Sequence, residues 1–123
     1  MGTWGAGNFD NDTSADHLST LTGRLVREVE EAMADPEELE ADEFWGCAVP
    51  ANLELLTLLA KQHYVGVVLP DVPTVDRWKA TYMTAWEDSI DGLEPTDEFR
   101  RARRKVLLAT FAKLRRAAQR ESG

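Results

Sequence analysis

Apolar residues in this chain recur every three or four positions through four segments, and prolines stand near the joints between them. Such spacing lines them up on one side of a 3.6-residue helix and does not fit the two-residue alternation of a half-buried strand. The pattern restricts the fold to an all-α class: a compact bundle of about four helices.

In the first segment Leu18, Leu21, Leu25, Val29, Ala32 and Met33 share one face, which predicts a helix from Asp12 or Thr13 to about Ala34. Asp12, Thr13 and Ser14 are all capping types, and Thr13-x-x-Asp16 resembles a capping box. Gly23 weakens the middle of this helix by about 1 kcal/mol relative to alanine, which suggests a bend or a close approach there. Asp35-Pro36 reads as a stop and a new start.

A second helical region runs from Glu37 or Asp42 to Lys61 with Phe44, Trp45, Ala48, Leu55, Leu56 and Leu59 as its apolar mass. Pro50 lies inside it and must kink it or split it, because proline removes a backbone donor. Residues 65–69, Val-Gly-Val-Val-Leu, read as an extended connector packed on the core. Pro73-Thr74 opens a third helix ending near Gly92, with Val75, Trp78, Tyr82, Trp86 and Ile90 in one stripe. Thr96 caps a fourth, on which Phe99, Ala102, Val106, Ala109, Thr110, Lys113 and Leu114 fall at helical spacing, with Leu107 and Phe111 widening the apolar side.

The 123 residues make one helical domain, 1–123, with residues 1–12 as an ordered amino-terminal turn and 100–123 as the basic end of the last helix. A chain of this length buries roughly 65% of the surface it exposes when unfolded. Cys47 is the only cysteine, which excludes an intrachain disulfide or a cysteine-based zinc cluster and fits a reduced, cytoplasmic setting. The longest apolar run, 53–60, is far short of the ~20 residues that span a bilayer, and the opening residues lack signal-peptide character. A soluble protein with no membrane partner is expected.

The net charge of -8 is sharply polarised. Residues 1–99 hold 21 acids and five basic residues, whereas residues 100–123 hold nine basic residues and one acid. Clustered Arg100, Arg101, Arg103, Arg104 and Lys105 raise nucleic-acid binding as one reading of the last helix. The acidic remainder disfavours it; such a body attracts its own basic helix or a basic partner protein instead. Arginine outnumbers lysine ten to four, which fits a GC-rich bacterial genome.

The candidate motif is the amino terminus, where Trp4, Gly5, Gly7, Phe9, Asp10, Asn11, Asp12 and Asp16 precede and enter the first helix. Its glycines suggest a fixed turn, and Trp4 and Phe9 suggest apolar anchors that pack it on the core. Asp10, Asp12, Ser14 and Asp16 alternate as oxygen ligands do in the first half of a calcium loop. Ala15 and Leu21 occupy the places where that loop needs glycine and a bidentate glutamate, so helix capping accounts for the acids better. They remain the nearest approach to a metal site, and no cofactor is expected. His17 and His63 lack the partners of a di-iron or zinc motif, Ser89 and Cys47 have no base at a telling spacing, and Gly5-x-Gly7 lacks the rest of a phosphate-binding fingerprint. The Trp78/Tyr82/Trp86 stripe could stack a planar ligand, although its spacing is that of a buried helix face.

The opening stretch through Asp16 resembles the signature of the bacterial "domain of unknown function 4259" family, in which a W-G-x-G-x-F-x-N-D element leads into a first helix with an acid near Asp16. Leu39-Glu40-Ala41-Asp42-Glu43 and the helix carrying Glu54 resemble the family's acid-bearing second helix more loosely, with Pro50 as a departure from it. The resemblance implies a small, mostly helical bacterial protein and makes Glu54 a candidate ligand-binding residue. It implies no activity, cofactor or catalytic residue.

These features together favour a non-enzymatic protein-interaction module, immunity-like or regulatory, with an unidentified protein partner, basic in one reading, or a homo-oligomer. The rival is a metal- or small-ligand-dependent enzyme gathering Asp10, Asp12, Asp16 and Glu54 between helices.

Overall fold

The computed structural model describes residues 2–122; Met1 and Gly123, the ends of the expected domain, lie outside the described residues. Four α-helices occupy Asp12–Met33 (α1), Phe44–Lys61 (α2), Val72–Ile90 (α3) and Asp97–Ser122 (α4). Short 3-10 turns at Pro36–Leu39 and Asp91–Leu93 follow α1 and α3. The architecture is the helical bundle that the periodicity predicts, and none of its helices is long and apolar enough to cross a membrane.

α1 starts at Asp12, as expected, but its cap lies one residue before the capping types read from the sequence. Asn11 is the cap: its side chain accepts from Ser14 N at 2.8 Å, and no Thr13–Asp16 box is used. Leu18, Val29, Ala32 and Met33 enter the core, but Leu21 is exposed and Thr22 is fully buried in its stead. The Thr22 hydroxyl donates to Leu18 O at 2.8 Å and accepts from Val68 N at 2.9 Å, so it is buried with its polar atom satisfied. Nothing packs closely on Gly23, whose added Cβ would meet only the Arg27 guanidinium at 3.7 Å.

Pro50 neither splits α2 nor ends it; the helix runs unbroken through it. Proline withholds the N–H that would pair with the carbonyl four residues back, which is that of Gly46. Tyr82 of α3 fills the gap, its hydroxyl donating to Gly46 O at 2.6 Å. Gly46 also lies against the turn that precedes α2, where an added Cβ would sit 1.9 Å from Glu40 O. The connector from α2 to α3 is not the extended, packed segment expected: it turns at residues 65–66, Val65 and Val68 are exposed, and Leu69 packs against the core. Gly66, at φ 102°, lies against the backbone of Ala15, and its carbonyl accepts from Ser19 Oγ at 2.6 Å.

Asp71 caps α3 by accepting from Thr74 N at 2.9 Å. The whole stripe Val75, Trp78, Tyr82, Trp86 and Ile90 is buried, so these rings are core and offer no stacking platform. Thr96 caps α4 through Phe99 N. Here only one side of the predicted face is buried: Leu107, Phe111 and Leu114 are, joined by Ala118, while Phe99, Ala102, Val106, Ala109 and Lys113 are exposed. Leu39, Leu53, Leu56, Trp78, Tyr82 and Phe111 form the middle of a core to which every helix contributes. α2 and α4 run in the same direction, since Thr57 and Lys61 share a groove with Thr110 and Lys113, and Ala60 and His63 share the next with Ala117 and Arg120.

Candidate functional site

The amino-terminal turn is a closed local structure. Trp4 N donates to Asp10 O at 2.8 Å and Asp10 N to Gly7 O at 3.1 Å, and an antiparallel bridge joins Thr3 to Asn11. The Asp10 carboxylate accepts from Gly7 N at 2.9 Å. Gly5 and Gly7 do not take left-handed angles; the only described glycine at positive φ is Gly66. Asp10 therefore braces the turn, Asn11 caps α1, and Asp12 lies in its first turn where the helix dipole favours an acid. Asp12 and Asp16 are both exposed.

The expected apolar anchors behave differently from one another. Phe9 is half-buried and stacks on Tyr64 at 4.4 Å, which ties the turn to the α2–α3 connector instead of the main core. Trp4 is 47% exposed and so is not an anchor. A backbone held by its own hydrogen bonds needs no buried tryptophan to order it.

Glu54 is exposed on α2 and borders a groove of about 200 Å³ with Thr57, Leu58, Lys61, Thr110 and Lys113. None of Asp10, Asp12 or Asp16 lines that groove, so the structure does not gather the four acids that the rival reading needs. The acids it does gather are Glu40, Asp42 and Glu43, just before α2, with carboxylate oxygens within 4.8 Å of one another. All three are exposed, and none forms an ion pair among the described residues.

Beyond this acidic shoulder lies a surface that sequence reading did not isolate. α2 is apolar on nearly every side, and its outward residues Phe44, Cys47, Ala51, Leu55 and Leu58 are exposed. Phe44 is 69% exposed, Leu55 47% and Leu58 50%. Phe99 and Val106 are similarly exposed on α4. A helix with apolar residues all round ordinarily has neighbours all round. The signal in the sequence was the segment 44–60 itself, in which Glu54 is the sole charged side chain.

Electrostatics of the remaining surface are mostly internal. Arg100 pairs with Asp91, Arg104 with Glu87 and Arg115 with Asp76, each joining α4 to α3 or the turn after it. The basic helix is thus partly neutralised by the acidic body. Glu30 accepts from Trp78 Nε1 and pairs with Arg77; the indole hydrogen bond foremost holds its carboxyl below the usual range. Hydrogen bonds from Thr74 lower that of Asp71. Burial pushes the Tyr82 phenol up to about 12.

Fold and surface together define a small all-α bundle that presents exposed faces to its surroundings. The chain belongs to the family described as a domain of unknown function (DUF4259), whose model matches residues 2–120. The match covers almost the full length of the chain. Comparison with curated proteins and with solved structures finds no match.

Proposed function

We propose that this chain is a non-enzymatic protein-interaction module of the bacterial cytoplasm, immunity-like or regulatory in role. The observation that carries the reading is the outer face of α2, where Phe44, Leu55 and Leu58 stand exposed along one helical stripe with Cys47 and Ala51 between them. Contiguous exposed apolar surface costs solubility and marks interaction sites. The acidic shoulder at Glu40, Asp42 and Glu43 adds a charge preference for a basic partner surface.

The test is affinity capture from the source cell combined with sizing of the purified chain. Wild type should retain a partner that can be purified and rebound, and Leu55→Glu with Leu58→Glu should lose it. If the wild-type chain binds nothing and does not self-associate, the reading fails.

A further inference from the structure

We infer that the outer face of α2 seats a second copy of this chain, the two α2 helices packing antiparallel about a twofold axis at Ala51. This rests on the interaction-module reading and commits its face to one occupant. A twofold contact places the same patch on both copies, so the patch must be complementary to itself after rotation. The exposed stripe has that property. Phe44 and Leu58 lie seven residues on either side of Ala51, and Cys47 and Leu55 lie four on either side. Antiparallel pairing then sets Phe44 on the second copy's Leu58 and Cys47 on its Leu55. The residue at the axis is the small Ala51, which lets two helices approach closely, while the large side chains close the ends.

Charge fixes the orientation. The amino end of α2 carries the acidic shoulder Glu40, Asp42 and Glu43. Its carboxyl end carries Lys61, and Lys113 of α4 borders the same groove as Leu58. Neither lysine forms an ion pair among the described residues. In the antiparallel register Lys61 of one copy lies just beyond the amino end of the other's α2, the end that the acids of the shoulder precede. Parallel pairing would instead bring two acidic shoulders together, where like charges repel, and would align the two helix dipoles. The unlike ends also bring a cation toward three clustered carboxylates that form no ion pair among the described residues. Two helices meeting over four turns, with little else, bury an area at the small end of specific interfaces, so the dimer is expected to be weak and concentration-dependent.

The register makes a sharp prediction for cysteine chemistry. With the axis at Ala51, the two native Cys47 residues lie eight positions apart along the helices, about 12 Å at 1.5 Å per residue. That exceeds the roughly 7 Å limit between the Cα atoms of a disulfide. Leu55→Cys places a new thiol opposite the other copy's Cys47, and Ala51→Cys in a Cys47→Ser background places two thiols across the axis.

The experiment is sedimentation equilibrium of the full chain from about 1 μM to about 1 mM, a range that spans weak association, followed by mild oxidation of the cysteine variants. The expected result is a rise from one-chain to two-chain mass in wild type, lost in Phe44→Glu with Leu58→Glu. Both positions are exposed, so the variant should fold, and an unchanged far-ultraviolet circular dichroism spectrum checks this. Leu55→Cys and Ala51→Cys with Cys47→Ser should cross-link, and wild type should not. A monomer at every concentration overturns the inference, as does cross-linking through Cys47 alone, which would mean parallel pairing. If the chain stays monomeric but captures a purified heterologous protein on this face, the second copy is excluded and the interaction-module reading stands. If it does neither, both fall.

Discussion

Gly23 and Gly46 both lie inside α-helices, and their surroundings give them opposite roles. An added methyl at Gly23 meets nothing nearer than 3.7 Å, so the glycine there contributes only its entropic cost in a helix. Gly23→Ala is expected to stabilise the fold by up to about 1 kcal/mol, seen as a rise of about 4 °C in thermal unfolding. At Gly46 the same methyl would stand 1.9 Å from Glu40 O and 3.0 Å from Leu39 O, both backbone atoms with no rotamer to escape into. Gly46→Ala should destabilise by about 3 kcal/mol, in the manner of an overpacked core. Equal effects of the two substitutions in one denaturant series would contradict this account. Both glycines read alike in the sequence, because close approach is set by what a distant turn places against the helix. Thr22 was missed for the same reason: its burial depends on Val68 N, 46 residues away.

At the scale of elements, most helix boundaries were legible because their causes are local, although α2, expected from Glu37 or Asp42, starts at Phe44 after a separate 3-10 turn. Thr96 caps through its own side chain, and Asp35-Pro36 stops one element and starts another within two residues. Choosing the buried face of α4 was harder. Leu107 and Phe111 are turned about 100° from Val106 and Thr110, and both sets look apolar in one dimension. The continuity of α2 was illegible too, since the donor that compensates for Pro50 belongs to α3. That donor gives a prediction. Tyr82→Phe should leave Gly46 O buried and unpaired at a cost of about 1–3 kcal/mol, and the penalty should shrink in a Pro50→Ala background, where the helix supplies its own N–H. A double-mutant cycle measures this coupling, and additive effects would refute it. The same hydroxyl sets an alkaline limit. Its folded pKa is raised from 10.0 to about 12, so the protonated phenol stabilises the fold. That contribution is complete below pH 10 and is lost as pH rises through about 12. Tyr82→Phe should remove this limb of the stability–pH curve, and an identical limb in wild type and variant would place its origin elsewhere.

At the scale of the molecule, two forces hold α4 against the rest, and their magnitudes differ. The charge asymmetry between residues 1–99 and 100–123 is the most visible property of the sequence, and it materialises as three arginine–carboxylate pairs to Asp76, Glu87 and Asp91. Each pair is substantially open to solvent, and such pairs are worth about 0.2–1 kcal/mol. Phe111, by contrast, is buried against Tyr82 with ring centroids 5.7 Å apart, and truncating such a ring costs about 3–5 kcal/mol. Neutralising all three acids together, as Asp76→Asn, Glu87→Gln and Asp91→Asn, should therefore cost less than Phe111→Ala alone. The triple change also lowers the negative charge of an acidic body, which offsets part of its loss. Equilibrium urea unfolding of the two variants at about 0.1 M salt, where surface charges still act over roughly 10 Å, gives the comparison. If the triple variant proves the less stable, electrostatic seating of α4 outweighs packing and the asymmetry is structural first. If Phe111→Ala does, as the magnitudes require, the charge pattern is free to orient α4 and to select what approaches it.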